Sequence, residues 1–101
     1  MENPQYASKE SALKEWGKLD RLTREQFKKK LSKRLENPKV EADKVSGLVN
    51  TYKIKLRAVG LRLVYVVDDE TNTLTVYAVG KRDKKTAYRK AKERIKQDFR
   101  E

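Results

Sequence analysis

The sequence predicts an α+β fold, made of two helices, an antiparallel meander of three strands and a last helix. Two periodicities predict it. Apolar residues recur at helical spacing over residues 8–36 and 84–99, and mainly at every second position over residues 51–80. Helices and strands that are segregated along the chain are typical of the α+β class. Because 101 residues is the length of one domain, we expect residues 1–101 to form a single domain.

The first two helices are predicted to form a hairpin over residues 8–36. The first helix has apolar residues at helical spacing: Ala12, Leu13, Trp16 and Leu19. Residues 20–22 are predicted to be a turn. Thr23 and Gln26 form a capping-box pattern at the start of the second helix, and Pro38 stops it. Its apolar stripe consists of Phe27, Leu31 and Leu35. The lysine run at residues 28–30 is predicted to lie on its solvated face.

The strands begin after a loop that contains Gly47. The first strand alternates Tyr52, Ile54 and Leu56 with Lys53, Lys55 and Arg57. Residues 61–67 are apolar on nearly both faces, which predicts a central strand. A polar hairpin loop, residues 68–72, leads to a third strand that Gly80 is predicted to end. Asp83 is the predicted N-cap of the last helix. The buried face of that helix is predicted to contain Ala87, Ala91, Ile95 and Phe99.

The charge of the chain predicts a polyanionic partner. The formal net charge is +11, from 26 Lys and Arg against 15 Asp and Glu. Such an excess favours nucleic acid, an anionic membrane surface or an acidic protein. The chain has no Cys, which excludes disulfides, and no long apolar run that would indicate secretion or a membrane span. We therefore expect a cytoplasmic protein.

The residue types that are missing exclude most catalytic chemistries. Without His or Cys, there is no Ser/His/Asp or Cys/His nucleophilic pair and no common transition-metal site. The four glycines do not form a phosphate-cradling loop. The acidic cluster of residues 68–70 is predicted to be a solvated hairpin tip. We expect neither a cofactor nor a metal.

What remains is a basic cluster on adjacent strands. Its members are Lys53, Lys55, Arg57 and Arg62, followed by Lys81, Arg82 and Tyr88. Like charges placed side by side on strands repel each other, which favours a site that binds a phosphate. A solvated strand face without a ligand is the alternative. Cleavage of an RNA phosphodiester by its own 2′-hydroxyl needs a base, charge stabilisation and help for the leaving oxygen, but no metal. Neighbouring cations and burial both lower the pKa of a lysine, so a His-free nuclease is chemically possible.

Four segments carry a resemblance to a known family. They read "ALKEWGKL", "REQFKKKLSKRLENP", "YKIKLRAVGLRLVY" and "VGKRDKKTAY". Together, over residues 12–95, they resemble the RelE family of the RelE/ParE superfamily, whose members are ribosome-dependent mRNA endonucleases of type II toxin–antitoxin systems. The resemblance implies a microbial RNase-like fold, with two N-terminal helices packed on a twisted antiparallel β-sheet and a C-terminal helix. It also implies a metal-independent endoribonuclease that cuts mRNA in the ribosomal A site and leaves a 2′,3′-cyclic phosphate.

Carried over residue by residue, the family's motif implies a catalytic set in this chain. Lys53 would be the general base toward the 2′-hydroxyl. Lys55 and Arg62 would stabilise charge on the phosphorane, with Arg62 gripping the scissile phosphate. Arg82 would assist the leaving group, and Tyr88 would orient or stack on the substrate nucleotide. Four further cations are expected to bind RNA or the ribosome: Arg57, Lys81, Lys84 and Lys85.

The chain departs from the family at two places. Residues 1–9, "MENPQYASK", are less apolar than the family's first strand, so a strand there is expected to be weak, shifted or partly disordered. Leu61 stands where an aromatic residue is expected, so any stacking contact at that position is lost.

The implied partners are mRNA, the small-subunit rRNA at the A site of the 70S ribosome, and a cognate RelB-like antitoxin with an acidic neutralising segment. No membrane partner is expected. Two other functions stay open. One is that of a ParE-type toxin of the same fold that inhibits gyrase. The other is a non-catalytic RNA- or ribosome-binding module, whose binding would be sensitive to salt and would not be followed by cleavage.

Overall fold

The computed structural model describes residues 5–98. Its helices and strands are, in chain order, β1 (Gln5–Ser8), α1 (Glu10–Gly17), α2 (Arg21–Glu36), β2 (Thr51–Leu56), β3 (Leu61–Asp68), β4 (Thr73–Lys81) and α3 (Thr86–Asp98). The four strands form one sheet in the order β1-β4-β3-β2. β1 runs parallel to β4, whereas the other two neighbouring pairs are antiparallel. The α+β class is confirmed, and the parallel strand β1 makes the sheet a mixed one.

The helices α1 and α2 cover one face of the sheet. Phe27 and Leu31 of α2 and Ala12 of α1 are buried against the side chains of alternate strand residues. The strand residues of this core are Tyr52, Ile54, Leu56, Leu63, Tyr65, Val67, Leu74, Val76 and Val79. The alternation in β2 is therefore as predicted, with the apolar set facing the helices. Leu13 differs from its prediction because it is 52% exposed.

The helix α3 covers the other face of the sheet. Ala87 and Ala91 are fully buried against Val64 and Ala78. These small residues allow a close approach: a Cβ on Gly80 would lie only 3.5 Å from the Ala87 backbone. Gly80 therefore does not end the strand as predicted. It pairs with the central strand β3, and β4 continues to Lys81.

A β-bulge in β4 adapts the strand to this second core. Val64 pairs with Ala78 and Tyr65 pairs with Val76, so Tyr77 has no residue opposite it. The extra residue places both Tyr77 and Ala78 in the cluster under α3. The Tyr77 hydroxyl donates a hydrogen bond of 2.7 Å to the Asp98 carboxylate, which holds the end of α3 on the sheet.

The helix boundaries differ from the prediction for local reasons. Asp20 is the N-cap of α2, because its carboxylate accepts a hydrogen bond of 2.7 Å from the Thr23 backbone N–H. The predicted turn at residues 20–22 is therefore the cap and first turn of the helix. Asp83 does not cap α3. The φ angles of Lys84 and Lys85 are 54° and 55°, and this left-handed backbone delays the helix to Thr86. Phe99 lies outside the described residues.

The N-terminal segment forms a strand where a weak or shifted one was expected. Gln5 pairs with Thr73 and Ser8 with Val76, so β1 lies at the edge of the sheet beside β4. Across the part of the chain that is described, no helix is both long and apolar enough to cross a membrane.

Glu15 of α1 joins the two sides of the sheet. Its carboxylate accepts hydrogen bonds of 2.9 and 3.0 Å from the two terminal nitrogens of Arg94 and one of 3.1 Å from the Val79 backbone N–H. Lys90 adds an ion pair at 2.8 Å. Burial raises the pKa of the Glu15 carboxyl, but the hydrogen bonds from Arg94, Lys90 and Val79 outweigh burial and lower that pKa to about 2. The charged carboxylate thus fastens α1 to α3 and to β4.

The lowered pKa of Glu15 predicts a loss of stability in acid. Its folded-state pKa lies below the ordinary value of 4.5, so its contribution is complete above about pH 4.5 and is lost as the pH falls toward 2. Urea unfolding between pH 6 and pH 2.5 should show this loss. The pKa values of Asp20 and Asp98 are lowered as well, by hydrogen bonds from the Thr23 backbone and from Lys9. Glu15→Gln should therefore flatten the acid limb only in part, and an unchanged slope in that variant would contradict the prediction.

Candidate active site

The strand register brings three of the predicted catalytic residues onto one face of the sheet. Lys53 and Lys55 alternate with the core residues of β2, so they lie on the face that α3 covers in part. Lys55 is the direct cross-strand partner of Arg62, and Arg62 is in turn opposite Gly80. Directly opposite residues have Cβ atoms about 5 Å apart. The side chains of Lys55 and Arg62 therefore start from neighbouring points, and Ala87 of α3 packs against Gly80 at the end of this row.

Arg82 is fixed close to this row by the backbone. Its N–H donates a hydrogen bond of 2.9 Å to the carbonyl of Gly60, the residue that precedes β3. Gly60 has a φ of 64°, which is the left-handed conformation that closes the turn between β2 and β3. The segment after β4 is thereby held against the start of β3. Arg82 itself is exposed, so its guanidinium is accessible to a ligand.

A cleft between α3 and the loop before β2 brings Lys53 and Tyr88 together. Its volume is about 480 Å³, and its lining residues are Val45, Ser46, Gly47, Leu48, Lys53, Lys85, Tyr88, Arg89 and Lys92. Tyr88 lies in the first turn of α3 and packs in part against the second core. The cleft therefore has an aromatic side chain and several cations around Lys53.

The basic residues of this face have no internal counter-charge. Among residues 5–98, no carboxylate forms an ion pair with Lys53, Lys55, Arg62 or Arg82. Arg62 is only 8% exposed, and its Nη1 donates a hydrogen bond of 2.9 Å to the Leu61 carbonyl. A buried charge is costly unless it is paired. An anion that binds beside Arg62 would supply the missing partner.

Hydrogen bonds from α2 hold the backbone that carries Lys53. Arg34 Nη1 donates hydrogen bonds of 3.0 Å to the Lys53 carbonyl and to the Tyr65 hydroxyl, while its Nη2 pairs with Asp43. The Tyr65 hydroxyl donates to the Pro38 carbonyl at 2.6 Å. Burial raises the pKa of Tyr65, so its hydroxyl stays a donor at neutral pH. β2 is therefore anchored from the face opposite to the candidate site.

The structure separates some of the other predicted binding residues from this face. Lys81 pairs with Leu61, whose side chain packs on the side of α1 and α2, so the register assigns Lys81 to that opposite face. Arg57 lies beyond β2, in a short 3-10 helix, and lines a groove on the α2 side. Lys85 lines the cleft with Lys53, whereas Lys84 does not.

Two cations of the cleft, Arg89 and Lys92, were not predicted as site residues. Lys92 follows Tyr88 by four residues and Arg89 by three, which is the spacing of neighbours on a helix. This spacing is visible in the sequence and could have identified them. Within the described chain, no group of three or more His, Cys, Asp or Glu side chains could hold a metal ion.

A family model and individual protein sequences both match this chain to toxins of toxin–antitoxin systems. The family described as "ParE toxin of type II toxin-antitoxin system, parDE" matches residues 6–86. A putative RelE-like toxin protein of Escherichia coli is 49% identical over 92 residues, which cover 91% of this chain and 97% of that protein. The mRNA interferase toxin RelE of Escherichia coli K12 is 52% identical over 86 residues, which cover 85% of this chain and 90% of that protein.

Solved structures agree with the sequence comparison. A free-state structure of a double mutant of E. coli toxin RelE superposes with a TM-score of 0.87 at 47% identity and covers 93% of this chain and 99% of that one. The toxin in the intact E. coli RelBE toxin–antitoxin complex gives a TM-score of 0.77 at 50% identity and covers 79% of this chain and 98% of that one. The fold and the sequence thus lead to one conclusion: the chain belongs to the RelE family of toxins, within the RelE/ParE superfamily of type II toxin–antitoxin systems.

Proposed function

We propose that the chain is the toxin of a type II toxin–antitoxin pair and that it cleaves mRNA in the A site of the ribosome. The observation that carries this proposal is the paired placement of Lys55 and Arg62, with Lys53 on the same sheet face and no carboxylate bound to any of them within the described residues. Such a face can hold a phosphate and the charge that develops on it. The name of the K12 relative, an mRNA interferase, supports RNA as the substrate.

In the proposed reaction, the 2′-hydroxyl of the substrate attacks its own 3′-phosphate. Lys53 takes the proton of the hydroxyl, since an arginine does not lose its proton in proteins. Arg62 binds the scissile phosphate, and Lys55 stabilises the additional negative charge of the phosphorane. Arg82 assists the departure of the 5′-oxygen. The bond between phosphorus and that oxygen breaks as the 2′-oxygen bond forms, and the 5′-oxygen takes a proton from water, which leaves a 2′,3′-cyclic phosphate and a free 5′-hydroxyl.

Tyr88 has a positioning role in this proposal. Because it lines the same cleft as Lys53, its ring can stack on the nucleotide whose 2′-hydroxyl is attacked. A stacked base would fix the ribose relative to Lys53. Arg57, Lys81, Lys84 and Lys85 contribute to attraction of ribosomal RNA. No metal and no cofactor take part in the proposed steps, and the chain acts in the cytoplasm.

The proposed protein partner is a RelB-like antitoxin. The similar E. coli toxin is found in a RelBE complex, and a double mutant of that toxin is found with a peptide of the antitoxin RelB. With a net charge of +11, the chain offers a basic surface that an acidic segment can neutralise.

Primer extension on translating ribosomes tests the proposed function. The wild-type chain should produce cuts at fixed positions within codons, and Arg82→Ala should reduce them about 100-fold or more, because one positioned charge that stabilises a developing oxyanion contributes about 10²–10³ to the rate. Lys14→Ala, on the exposed side of α1, is the control and should cut like wild type.

The same samples separate the two alternative functions. Intact mRNA together with inhibited gyrase supercoiling would support a gyrase toxin. Salt-sensitive ribosome binding with intact mRNA and active gyrase would support a binding module. Either result would overturn the proposed nuclease.

A further inference from the structure

A second basic surface lies across the edge strand from the candidate active site. A groove of about 720 Å³ runs between residues 26–34 of α2 and residues 54–58, which comprise the end of β2 and the turn that follows it. We call it the α2–β2 groove. β2 is one of the two edge strands of the sheet, so the groove follows a sheet edge. Of the residues that take part in the proposed reaction, Lys53, Lys55, Arg62, Arg82 and Tyr88, the described lining of the groove includes Lys55 alone.

The groove carries an excess of unpaired positive charge. Lys29, Lys30 and Lys33 line it from α2, and Lys55 and Arg57 line it from β2 and the turn. None of these five forms an ion pair with a carboxylate in residues 5–98. The carboxylate of Asp43 also lines the groove, but it is engaged by Arg34. Lys29, Lys30, Lys33 and Arg57 therefore lie on the α2 side without an ion-pair partner among the described residues, and Lys55, whose side chain belongs to the other face of the sheet, lines the groove at the strand edge.

The α2 cations form a row with the spacing of a polyanion. Gln26, Lys29, Lys30 and Lys33 share one helix face, as residues three, four and seven apart do. At about 1.5 Å per residue, the three lysines span about 6 Å along the helix, a length over which one helical nucleic-acid strand carries about two to three phosphates. Like charges at this spacing repel each other within the helix, and a bound anion removes that repulsion.

The floor of the groove favours a phosphate backbone over a protein segment. Ile54 and Leu56 line it, but they are only 1% and 6% exposed because their side chains belong to the core. None of the lining residues of the described chain is aromatic. A peptide would find no open apolar socket for an anchoring side chain, and a nucleic-acid base would find no ring on which to stack. Phosphate oxygens need neither feature.

The groove is continuous with the candidate active site through Lys55. This residue lines the groove and is also the cross-strand partner of Arg62. We propose that the α2–β2 groove binds the phosphate backbone of RNA without regard to base sequence. The RNA in the groove would lie next to the RNA that reaches the catalytic face. The choice of RNA as the polyanion rests on the function proposed above.

Binding of a short RNA in which every ribose is 2′-O-methylated tests the groove, because this RNA cannot be cleaved. The full chain is titrated with a fluorescent oligonucleotide from 50 to 300 mM salt. The variant Lys29→Gln/Lys30→Gln/Lys33→Gln should bind on the order of 100-fold more weakly at 0.1 M salt. Its slope of log K against log salt should be shallower by about 2, since each lost phosphate contact on a single strand contributes about 0.7.

A matched control removes the same charge elsewhere. Lys14, Lys18 and Lys28 are exposed and do not line the groove, so the variant Lys14→Gln/Lys18→Gln/Lys28→Gln should change the affinity less than about fivefold. Equal losses of RNA affinity in the two variants would contradict the groove proposal. A groove variant that keeps its RNA affinity but loses affinity for an acidic peptide such as oligoglutamate would also contradict it.

A ribosome cleavage assay on the same proteins separates this inference from the proposed function. If the wild-type chain cuts mRNA but the groove variant binds RNA like the control, the groove proposal fails and the nuclease proposal stands. If the groove variant alone loses RNA affinity and the wild-type chain cuts nothing, the groove stands and the nuclease proposal fails. All six substituted lysines are exposed, so both variants are expected to keep the wild-type melting temperature within a few degrees.

Discussion

Replacement of Lys53 by alanine is expected to lower the rate of mRNA cleavage on the ribosome by about 10²–10⁴-fold, the usual contribution of a positioned general base. Lys53 shares a cleft with Tyr88, and the Arg34 hydrogen bond to its carbonyl fixes the backbone from which it extends. The affinity for the ribosome should fall much less, because many other cations remain. Single-turnover cleavage and ribosome binding, measured on the same protein, give the two quantities separately.

The variant Lys53→Arg distinguishes a base from a simple charge. Arginine keeps the positive charge but does not give up its proton, so binding should be retained and cleavage should stay as low as in Lys53→Ala. Equal losses of binding and cleavage in Lys53→Ala would count against a base at this position. Full activity of Lys53→Arg would show that the residue supplies charge alone.

The second large effect is expected at Glu15, on stability rather than on catalysis. Its side chain is 14% exposed and that of Arg94 is 20% exposed, so the pair is largely removed from water. Glu15→Ala leaves the Arg94 guanidinium without its carboxylate and the Val79 N–H without an acceptor. Loss of one partner of a buried pair costs about 3–5 kcal/mol, a large part of the 5–15 kcal/mol that stabilises a typical domain. The melting temperature should fall by roughly 12 °C or more.

An exposed ion pair on the same side of the sheet provides the control. Arg21 and Glu25 lie 3.4 Å apart at positions i and i+4, with side chains 82% and 57% exposed. Glu25→Ala should change the free energy of unfolding by less than about 0.5 kcal/mol. Thermal unfolding of both variants at pH 7 measures the difference. A Glu15→Ala protein as stable as Glu25→Ala would show that the Glu15 ion pairs and hydrogen bonds do not stabilise the fold.

Features with local causes were predictable from the sequence. The two-residue alternation in β2 assigned Ile54 and Leu56 to the core and Lys53 and Lys55 to the other face, because successive side chains of a pleated strand point to opposite faces. The double burial of β3 followed in the same way from its continuous apolar run.

Features that depend on distant partners were not predictable from local patterns. Gly80 looks like a strand end, but its pairing with Arg62 and the packing of Ala87 keep it within β4. The strand β1 has little apolar character of its own and exists through its ladder with β4. The position of β2 beside α2 decides whether a lysine of α2 faces solvent or a groove. The sequence alone therefore predicts one solvated face for residues 28–30, whereas in the structure Lys29 and Lys30 line the groove and Lys28 does not.

The parallel pairing of β1 with β4 affects the order in which the strands of the sheet form. Gln5–Ser8, the first strand of the described residues, can join the sheet only after Thr73–Lys81 has formed. The hairpin of β3 and β4 closes over a few residues, whereas the β1 pairing closes a loop of most of the chain and is therefore expected to form late. The basic row of Lys55 and Arg62, with Gly80 beside it, spans only β2, β3 and β4, so it can form before β1 joins the sheet.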